Sequence, residues 1–245
     1  MLELHYGPAR VPSRDSPEAA VELLVARGFS ACEIDFEGGF WMDYPWAERF
    51  GEVARDAGIV LSVHAPIAGF LGHVERDKKY RMAVGMLDHS AGVAVACGAE
   101  VVVFHPGFLL GRERPQAIAA RCGWIRPVLD FAHLHAVTDG GFTDVEAFAE
   151  ILEQADDLLP PGAPFHVHFS DIAYANRNET KHLPYGEGTL RAEPLGEALA
   201  RFDRPATVIT ESPDSASDEA IYAALTASLS SSAPASSARS RSRRN

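Results

Sequence analysis

Histidine and carboxylate side chains follow short apolar runs at several places in this sequence. The run VLSV is followed by His64, the run VVVF by His105, and the run VIT by Glu211. The full set of such candidate ligands is His64, His105, Asp130, His133, His168, His182 and Glu211. Imidazole and carboxylate together suit zinc, and burying each group without a partner would cost several kcal/mol. The pattern predicts a metal centre, and a network of mutually hydrogen-bonded core groups is the alternative.

The segments that carry these side chains alternate between strand and helix patterns. Strands are predicted over residues 2–7, 31–38, 60–66, 101–107, 125–133, 164–171 and 206–214. Helices are predicted over residues 16–28, 45–57, 76–97, 143–156 and 216–227. Strict alternation indicates an α/β fold with a parallel sheet, either doubly wound or closed as a barrel. In α/β barrels the active site lies at the C-terminal ends of the strands, where the candidate ligands fall.

Composition bounds the domain organisation and the partners. We interpret residues 1–227 as one metal-binding domain and residues 228–245, which hold little but Ser, Ala, Pro and Arg, as a disordered tail. The three cysteines are far apart, there is no signal-peptide pattern, and no apolar run approaches the roughly 18 residues of a membrane span, so we expect a cytoplasmic protein. A formal net charge of −12 argues against broad attraction to nucleic acid or anionic lipid. Bound metal ions can nevertheless reverse the sign of the charge locally.

Six short motifs occur in a fixed order along the chain. They are VHAPIAGFLG, VVVFHPG, DFAH, HFSD, KHLPYGEG and VITESP. In this order they resemble the endonuclease IV family, the zinc-dependent abasic-site endonucleases with a xylose isomerase-like TIM barrel. The resemblance implies a fold of that kind, up to three zinc ions, and DNA with abasic sites as the partner.

The resemblance also implies a role for each candidate ligand. The implied zinc sites are His64 with His105, Asp130 with His168 and Glu211, and His133 with His182. In the family a metal-activated hydroxide attacks the phosphate 5′ to the abasic sugar, while the flanking ions stabilise the developing charge. On this basis we expect Glu211 and His105 to take part in catalysis.

Two loops depart from the family pattern. Where the family has an aspartate two residues before the histidine of KHLPYGEG, this chain has Thr180, and the neighbouring Glu179 is the candidate replacement. The family's duplex-penetrating aromatic falls here on Ile67. Phe40 and Trp41, in the loop after strand two, could rebuild a stacking surface, so we expect these two residues and Ile67 to contact the substrate. Packing of that loop on a helix is the alternative.

The largest departure is a missing strand. Only 18 residues, FLLGRERPQAIAARCGWI, separate VVVFHPG from RPVLDFAH, which is room for one crossover helix. We therefore expect an incomplete or seven-stranded barrel, with strand four beside the DFAH strand and with self-association through any gap. The family's missing strand carries the glutamate that bridges two zincs. Without it we expect weaker chemistry and fewer than three zincs, with one firm ion at Asp130, His168 and Glu211.

Two other functions are compatible with these motifs. A sugar isomerase or epimerase uses the same barrel with fewer metals, and Glu33 or Asp35 could serve it, although a salt bridge is the simpler role for either. An inert metal-binding relic is the other alternative. His133 and His182 favour the nuclease, because a one-metal isomerase has no use for a third site. We interpret the remaining histidines as structural: His5, His73, His89, His135 and His166.

Overall fold

Seven parallel strands and an antiparallel hairpin make up the sheets of the computed structural model, which describes residues 2–69, 77–105 and 125–231. The parallel strands are β1 Leu4–Pro8, β2 Ala31–Asp35, β3 Val60–His64, β4 Val101–Val103, β5 Leu129–Asp130, β6 Phe165–Phe169 and β9 Ala206–Thr210. The hairpin strands are β7 Asp171–Ala175 and β8 Asn178–Leu183. The helices are α1 Pro17–Ala26, α2 Tyr44–Asp56, α3 Asp77–Cys97, α4 Phe131–Val137, α5 Val145–Asp156, α6 Glu193–Leu199 and α7 Ser215–Ser231.

The parallel strands form two sheets that meet at β1 and β2. One sheet has the order β1-β9-β6-β5 and the other the order β2-β3-β4. The amide of Ser30 donates to the carbonyl of Tyr6 at 2.9 Å where β1 passes β2. At Gly7 the backbones are so close that an added Cβ would lie 1.6 Å from the carbonyl oxygen of Ala31. Only glycine fits there, because it has no side chain. The two sheets therefore come close enough to form one curved wall.

Strands β4 and β5 are not paired with each other. Within the described residues each of these strands is the edge of its sheet, so the expected pairing of strand four with the DFAH strand is wrong. Residues 106–124, which connect the two strands, lie outside the described residues, and the expectation of an incomplete or seven-stranded barrel depends on them.

Side-chain caps explain where several helices begin. Ser16, Asp43 and Asp144 each accept a hydrogen bond from a backbone amide three residues later, at 3.1, 2.9 and 3.1 Å. These caps satisfy amides that have no partner inside the helix. The predicted starts at residues 16, 45 and 143 agree with α1, α2 and α5 to within two residues.

Capping also corrects the predicted fifth strand. It was expected over residues 125–133, but β5 is only Leu129–Asp130 and α4 begins at Phe131. The Asp130 carboxylate accepts from the backbone amide of His133 at 2.9 Å, so this aspartate is the N-cap of α4. His133 consequently lies on a helix rather than at the tip of a strand.

Three further differences concern connections and ends. The hairpin β7–β8 and helix α6 were not predicted, and α7 continues to Ser231, beyond the predicted domain boundary at residue 227. Residues 232–245 of the predicted tail, and His73, lie outside the described residues. Among the helices that the structure describes, none is long and apolar enough to cross a membrane.

A continuous apolar core packs the helices against the outer faces of the strands. Strands β6 and β9 are buried along their whole length, as is expected of parallel strands covered on both faces. The largest fully buried side chains include Phe50, Phe131, Phe148 and Phe165. This packing fixes the position of each strand along the barrel axis. It therefore also fixes the position of the side chain at each C-terminal end.

Candidate metal centre

Strand register brings the candidate ligands together at the C-terminal ends of the parallel strands. Asp35 is the register partner of His64 across β2 and β3, and Asp130 is the partner of His168 across β5 and β6. The chain continues from β9 into Glu211, whose amide donates to the carbonyl of Phe169 at 3.2 Å. Parallel strands share a C-terminal edge, so these side chains project into the same mouth.

His168, Glu211 and His64 form a largely buried group. Nδ1 of His168 lies 3.3 Å from Oε1 of Glu211, and the rings of His64 and His168 stack with centroids 5.8 Å apart. One ligand atom from each of the three side chains lies within 4.8 Å of the others. Oε2 of Glu211 is buried and has no hydrogen-bond partner among the described residues. A buried, unpartnered carboxylate oxygen beside two imidazoles suits a cation.

Glu33 lies one layer deeper, two residues before Asp35 on the same face of β2. It is fully buried, accepts from the Ser62 hydroxyl at 2.6 Å, and lies 3.2 Å from Nε2 of His166. Its Oε1 is 3.0 Å from Nε2 of His168, although the two atoms are not aligned for a hydrogen bond. The contacts of Glu33 therefore agree with an ion-pair role, which was the simpler interpretation of this residue.

The two partners shift each other's pKa in opposite directions. Burial raises the pKa of Glu33, but His168 and His166 outweigh burial and hold it well below its ordinary value. Burial lowers the pKa of His168, but Glu33 and Glu211 outweigh it and hold that pKa well above its ordinary value. A metal ligand of this type commonly points its second ring nitrogen at a carboxylate, which fixes the orientation of the ring. Glu33 is placed to do this for His168.

A second group joins helix α4 to the hairpin. The carboxylate of Glu179 contacts Nε2 of His133 and lies 3.3 Å from Nε2 of His182. Nδ1 of His182 is in turn hydrogen-bonded to the hydroxyl of Ser170. Thr180, at the position where an aspartate was expected, instead donates to the carbonyl of Ala173 at 2.9 Å. Glu179 thus occupies the space between the two histidines, as its proposed role as the replacement ligand requires.

Asp130 is engaged with this second group rather than with His168. Its carboxylate contacts Nδ1 of His133 as well as that residue's amide. The hydrogen bond to Asp130, followed by the one to Glu179, raises the pKa of His133 to about 11. Among the described residues, the close groups of potential ligands pair His168 and Glu211 with His64, and none of them includes Asp130. The structure therefore brings together two of the three ligands expected for the firm ion.

A third group lies at the C-terminal ends of β2, β3 and β4. Ligand atoms of Glu37, His64 and His105 lie within 4.8 Å of one another. The rings of His64 and His105 have centroids 5.2 Å apart. Burial, followed by the proximity of His64 and His133, lowers the pKa of His105, which keeps its imidazole neutral. Burial also raises the pKa of Glu37, although His64 opposes this shift.

These groups border an open cavity of about 120 Å³. Its lining residues in the described part of the chain are Ala9, Arg10, Glu33, Asp35, Glu37, His64, His182 and Glu211. Arg10 contributes the guanidinium at this cavity and donates to the carbonyl of Ser212. Neither Arg10 nor Glu37 was predicted from the sequence. Arg10 lies three residues after the predicted strand 2–7, and Glu37 lies at the C-terminal end of the predicted strand 31–38. This position was the available signal, because loops at that edge of a barrel carry the site.

The expected substrate-contacting residues lie in the loops around this mouth. The ring of Phe40 packs on His89 and Phe36, with centroids 4.3 and 4.9 Å away. Nε1 of Trp41 donates to the carbonyl of Asp35 at 3.1 Å, and a guanidinium lies over its indole ring. Ile67 is 51% exposed. Phe40 and Trp41 are thus packed within their loop and against helices, whereas the side chain of Ile67 is exposed.

Comparison with known proteins supports the xylose isomerase-like family. Residues 21–123 match the family described as xylose isomerase-like TIM barrel. The uncharacterized protein MJ0133 of Methanocaldococcus jannaschii is 28% identical over 257 residues, covering 86% of this chain and 93% of that protein. That aligned length exceeds the 245 residues of this chain, so part of the relative has no counterpart here.

Solved structures of sugar epimerases have the same fold. A D-tagatose 3-epimerase-like protein superimposes with a TM-score of 0.61 at 17% identity, covering 94% of this chain and 98% of its own. D-allulose 3-epimerase from Methylomonas sp. superimposes with a TM-score of 0.55 at 15% identity, covering 92% and 96%. At these identities the similarity establishes the fold alone.

Proposed function

We propose that this chain, which has the xylose isomerase-like TIM-barrel fold, is a metal-dependent hydrolase of phosphodiester bonds that acts at abasic sites in DNA. The observation that carries the proposal is the group of His133, Glu179 and His182. The Glu179 carboxylate contacts Nε2 of His133 and lies 3.3 Å from Nε2 of His182, so these side chains could supply ligands for an ion beyond those near His168 and His64. A sugar isomerase that works with one metal needs no such group, whereas phosphodiester cleavage uses several cations around one phosphate.

The side chains present fit zinc. They are imidazoles and carboxylates, and the buried atom Oε2 of Glu211 has no hydrogen-bond partner among the described residues. An unpartnered buried polar atom of this kind is costly unless something else binds to it. We assign one zinc to His168 and Glu211, and a second zinc to His133, Glu179 and His182.

The residues of the chain would then divide the work around the phosphate. Bound zinc supplies an acidified water and neutralises charge on the phosphoryl oxygens. Arg10, at the rim of the cavity, is placed to donate N–H groups to a phosphate oxygen. His105 is kept neutral by burial, so its ring nitrogen can accept a proton or bind a metal. Glu211 directs its free oxygen toward the same mouth.

The charge of the chain makes DNA binding depend on metal. The formal net charge is −12, and four carboxylates line the cavity: Glu33, Asp35, Glu37 and Glu211. Without cations this field repels a phosphate backbone, whereas bound divalent ions invert it locally. We therefore expect specific DNA binding only after metal loading, with Phe40, Trp41 and Ile67 in reach of the displaced strand.

A cleavage assay tests the proposal. A duplex with a single abasic-site analogue is incubated with the zinc-loaded protein, with and without a chelator, beside the variant Glu211→Gln and the control Glu150→Gln on the exposed side of α5. We expect cleavage at the analogue that the chelator abolishes and that Glu211→Gln lowers at least about 100-fold. Intact DNA with fully metal-loaded wild-type protein would reject the nuclease.

The carboxylates of the cavity favour a sugar epimerase as the second candidate. Asp35 and Glu211 are both among its lining residues. Two carboxylates near one substrate can remove and return a proton. Incorporation of solvent deuterium into a ketose by the metal-loaded protein, with no DNA cleavage, would establish this alternative.

A further inference from the structure

The site of His64 and His105 lacks a ligand if only the expected motifs are counted. Two histidines are one ligand short of the three protein ligands typical of a catalytic zinc. Among the described residues, the carboxylate with an oxygen close to ligand atoms of both histidines is that of Glu37, in the loop after β2.

The loop after β2 is built to hold a carboxylate over His64. The ladder continues one residue past β2, because the amide of Phe36 donates to the carbonyl of His64 at 3.0 Å. The next amide, that of Glu37, donates to Oδ1 of Asp35 at 2.6 Å, which turns the chain across the mouth. The loop then closes through a hydrogen bond from Gly39 to the carbonyl of Phe36 at 2.8 Å. Gly39 has a φ of 109°, which a residue with a side chain rarely adopts.

The ring of His64 presents its ligand nitrogen to this carboxylate. Nδ1 of His64 lies 2.9 Å from the carbonyl oxygen of Ala65, and a carbonyl only accepts, so Nδ1 carries the proton. Nε2 is left to bind a cation, and Oε1 of Glu37 is 4.0 Å from it. Two ligand atoms of a tetrahedral zinc are roughly 3.4 Å apart, so a small rotation of the Glu37 side chain is sufficient. That side chain is 42% exposed, which leaves it room to rotate.

We infer that Glu37 completes a His₂-carboxylate metal site with His64 and His105 and so takes the place of the family's bridging glutamate. The site holds zinc or another transition-metal ion and leaves one position open at the cavity that Glu37 and His64 line. The inference deepens the proposed function, on which its catalytic meaning rests. It replaces the expectation that loss of the bridging strand leaves fewer than three metal sites.

Metal binding to the full chain tests this inference without relying on activity. Protein stripped with a chelator is titrated with Zn²⁺ by calorimetry and with Co²⁺ by visible absorption, for the wild type, Glu37→Gln and the control Glu48→Gln. Glu48 is an exposed carboxylate on α2, so it matches the charge change away from the site. We expect Glu37→Gln to lose one ion or to weaken one class of site at least about tenfold, while Glu48→Gln binds as the wild type does.

A double variant makes the assignment to this site explicit. Glu37→Gln combined with His105→Ala should lose the same single ion as either change alone, because both remove ligands of one site. Loss of two ions would overturn the inference, as would Glu37→Gln titrations that equal the wild type. Melting curves in chelator verify that each variant is folded.

Cleavage of the abasic-site duplex by the same preparations separates the two claims. If the wild type cleaves while Glu37→Gln keeps every ion, the role of Glu37 is rejected and the nuclease stands. If Glu37→Gln loses its ion while the wild type does not cleave, the site stands and the nuclease is rejected.

Discussion

Asp171 and Glu211 are acidic residues at the same mouth of the barrel, yet their surroundings differ in kind. Asp171 is fully buried, and its two carboxylate oxygens accept five hydrogen bonds at 2.8–3.2 Å. The donors are the backbone amides of Ile172, Gly186, Gly188 and Leu190 and the guanidinium of Arg191. Glu211 instead keeps a buried oxygen that no described group contacts.

The difference distinguishes buried carboxylates that stabilise the fold from buried carboxylates that are available to bind a ligand. A loop that hydrogen-bonds both oxygens of a buried carboxylate must keep one fixed conformation, and the loop around Asp171 does so. A Cβ added to Gly188 would lie 2.3 Å from Oδ1 of Asp171, so the second glycine of the GEG motif serves this cage. The unsatisfied Oε2 of Glu211 has no comparable structural explanation among the described residues.

Removing the satisfied carboxylate should have the largest effect on stability. Asp171→Ala leaves four amides and a guanidinium without their acceptor, and we expect it to lower the free energy of unfolding by about 3–5 kcal/mol. Urea denaturation in chelator measures this, with Glu187→Gln in the same exposed loop as the control. A loss below about 1 kcal/mol would show that the cage is not structural.

Removing the unsatisfied carboxylate should affect metal rather than fold. We expect Glu211→Gln to unfold within about 1 kcal/mol of the wild type in chelator, but to lose one zinc and the corresponding zinc-dependent rise in melting temperature. His182→Ala should retain that ion, because His182 belongs to the group around Glu179. Elemental analysis and paired melting curves give the result, and equal zinc content in wild type and Glu211→Gln would contradict the assignment.

Glu33 should have an intermediate effect, since it touches His168 but lies beneath the cavity layer. Glu33→Gln keeps the shape of the side chain and removes the charge that orients the ring of His168. We expect zinc to bind about 10–100-fold more weakly. Competition with a chromophoric chelator measures the affinity, and an unchanged dissociation constant would remove Glu33 from the support of the site.

Asp218 provides the smallest test, as a buried carboxylate that binds Thr210, the residue before Glu211, rather than a candidate metal ligand. Burial raises its pKa to about 6, while its Oδ1 accepts from the hydroxyl of Thr210 at 3.1 Å. A folded-state pKa above the ordinary value favours the protonated form, so the contribution of Asp218 to stability falls as the pH rises from about 4 to about 6. Asp218→Asn removes this dependence.

We expect the stability of Asp218→Asn relative to the wild type to increase by about 1 kcal/mol between pH 4 and pH 7, with unchanged zinc binding. Urea denaturation at a series of pH values measures the difference. A difference that is constant across this range would show that Asp218 does not titrate as its burial requires.

The sequence was most informative where one strand or helix decides the outcome by itself. Apolar runs and capping residues predicted all seven parallel strands and the starts of α1, α2 and α5, because burial and capping act within a few residues. The side-chain period of a strand also placed His64, His168 and Glu211 at one edge of the sheet. The expected loss of a strand rested on the short segment between VVVFHPG and DFAH, which lies mostly outside the described residues.

What the sequence could not decide is which of these side chains meet. Glu37 faces His64 only because β2 pairs with β3 in one register and a loop then turns across the mouth. Glu179 reaches His133 only because an unpredicted hairpin folds back over α4. Spacing along the chain determined the kinds of ligand and the edge at which they lie. The contacts among them, which depend on distances of a few ångströms between residues far apart in sequence, were decided by the tertiary structure alone.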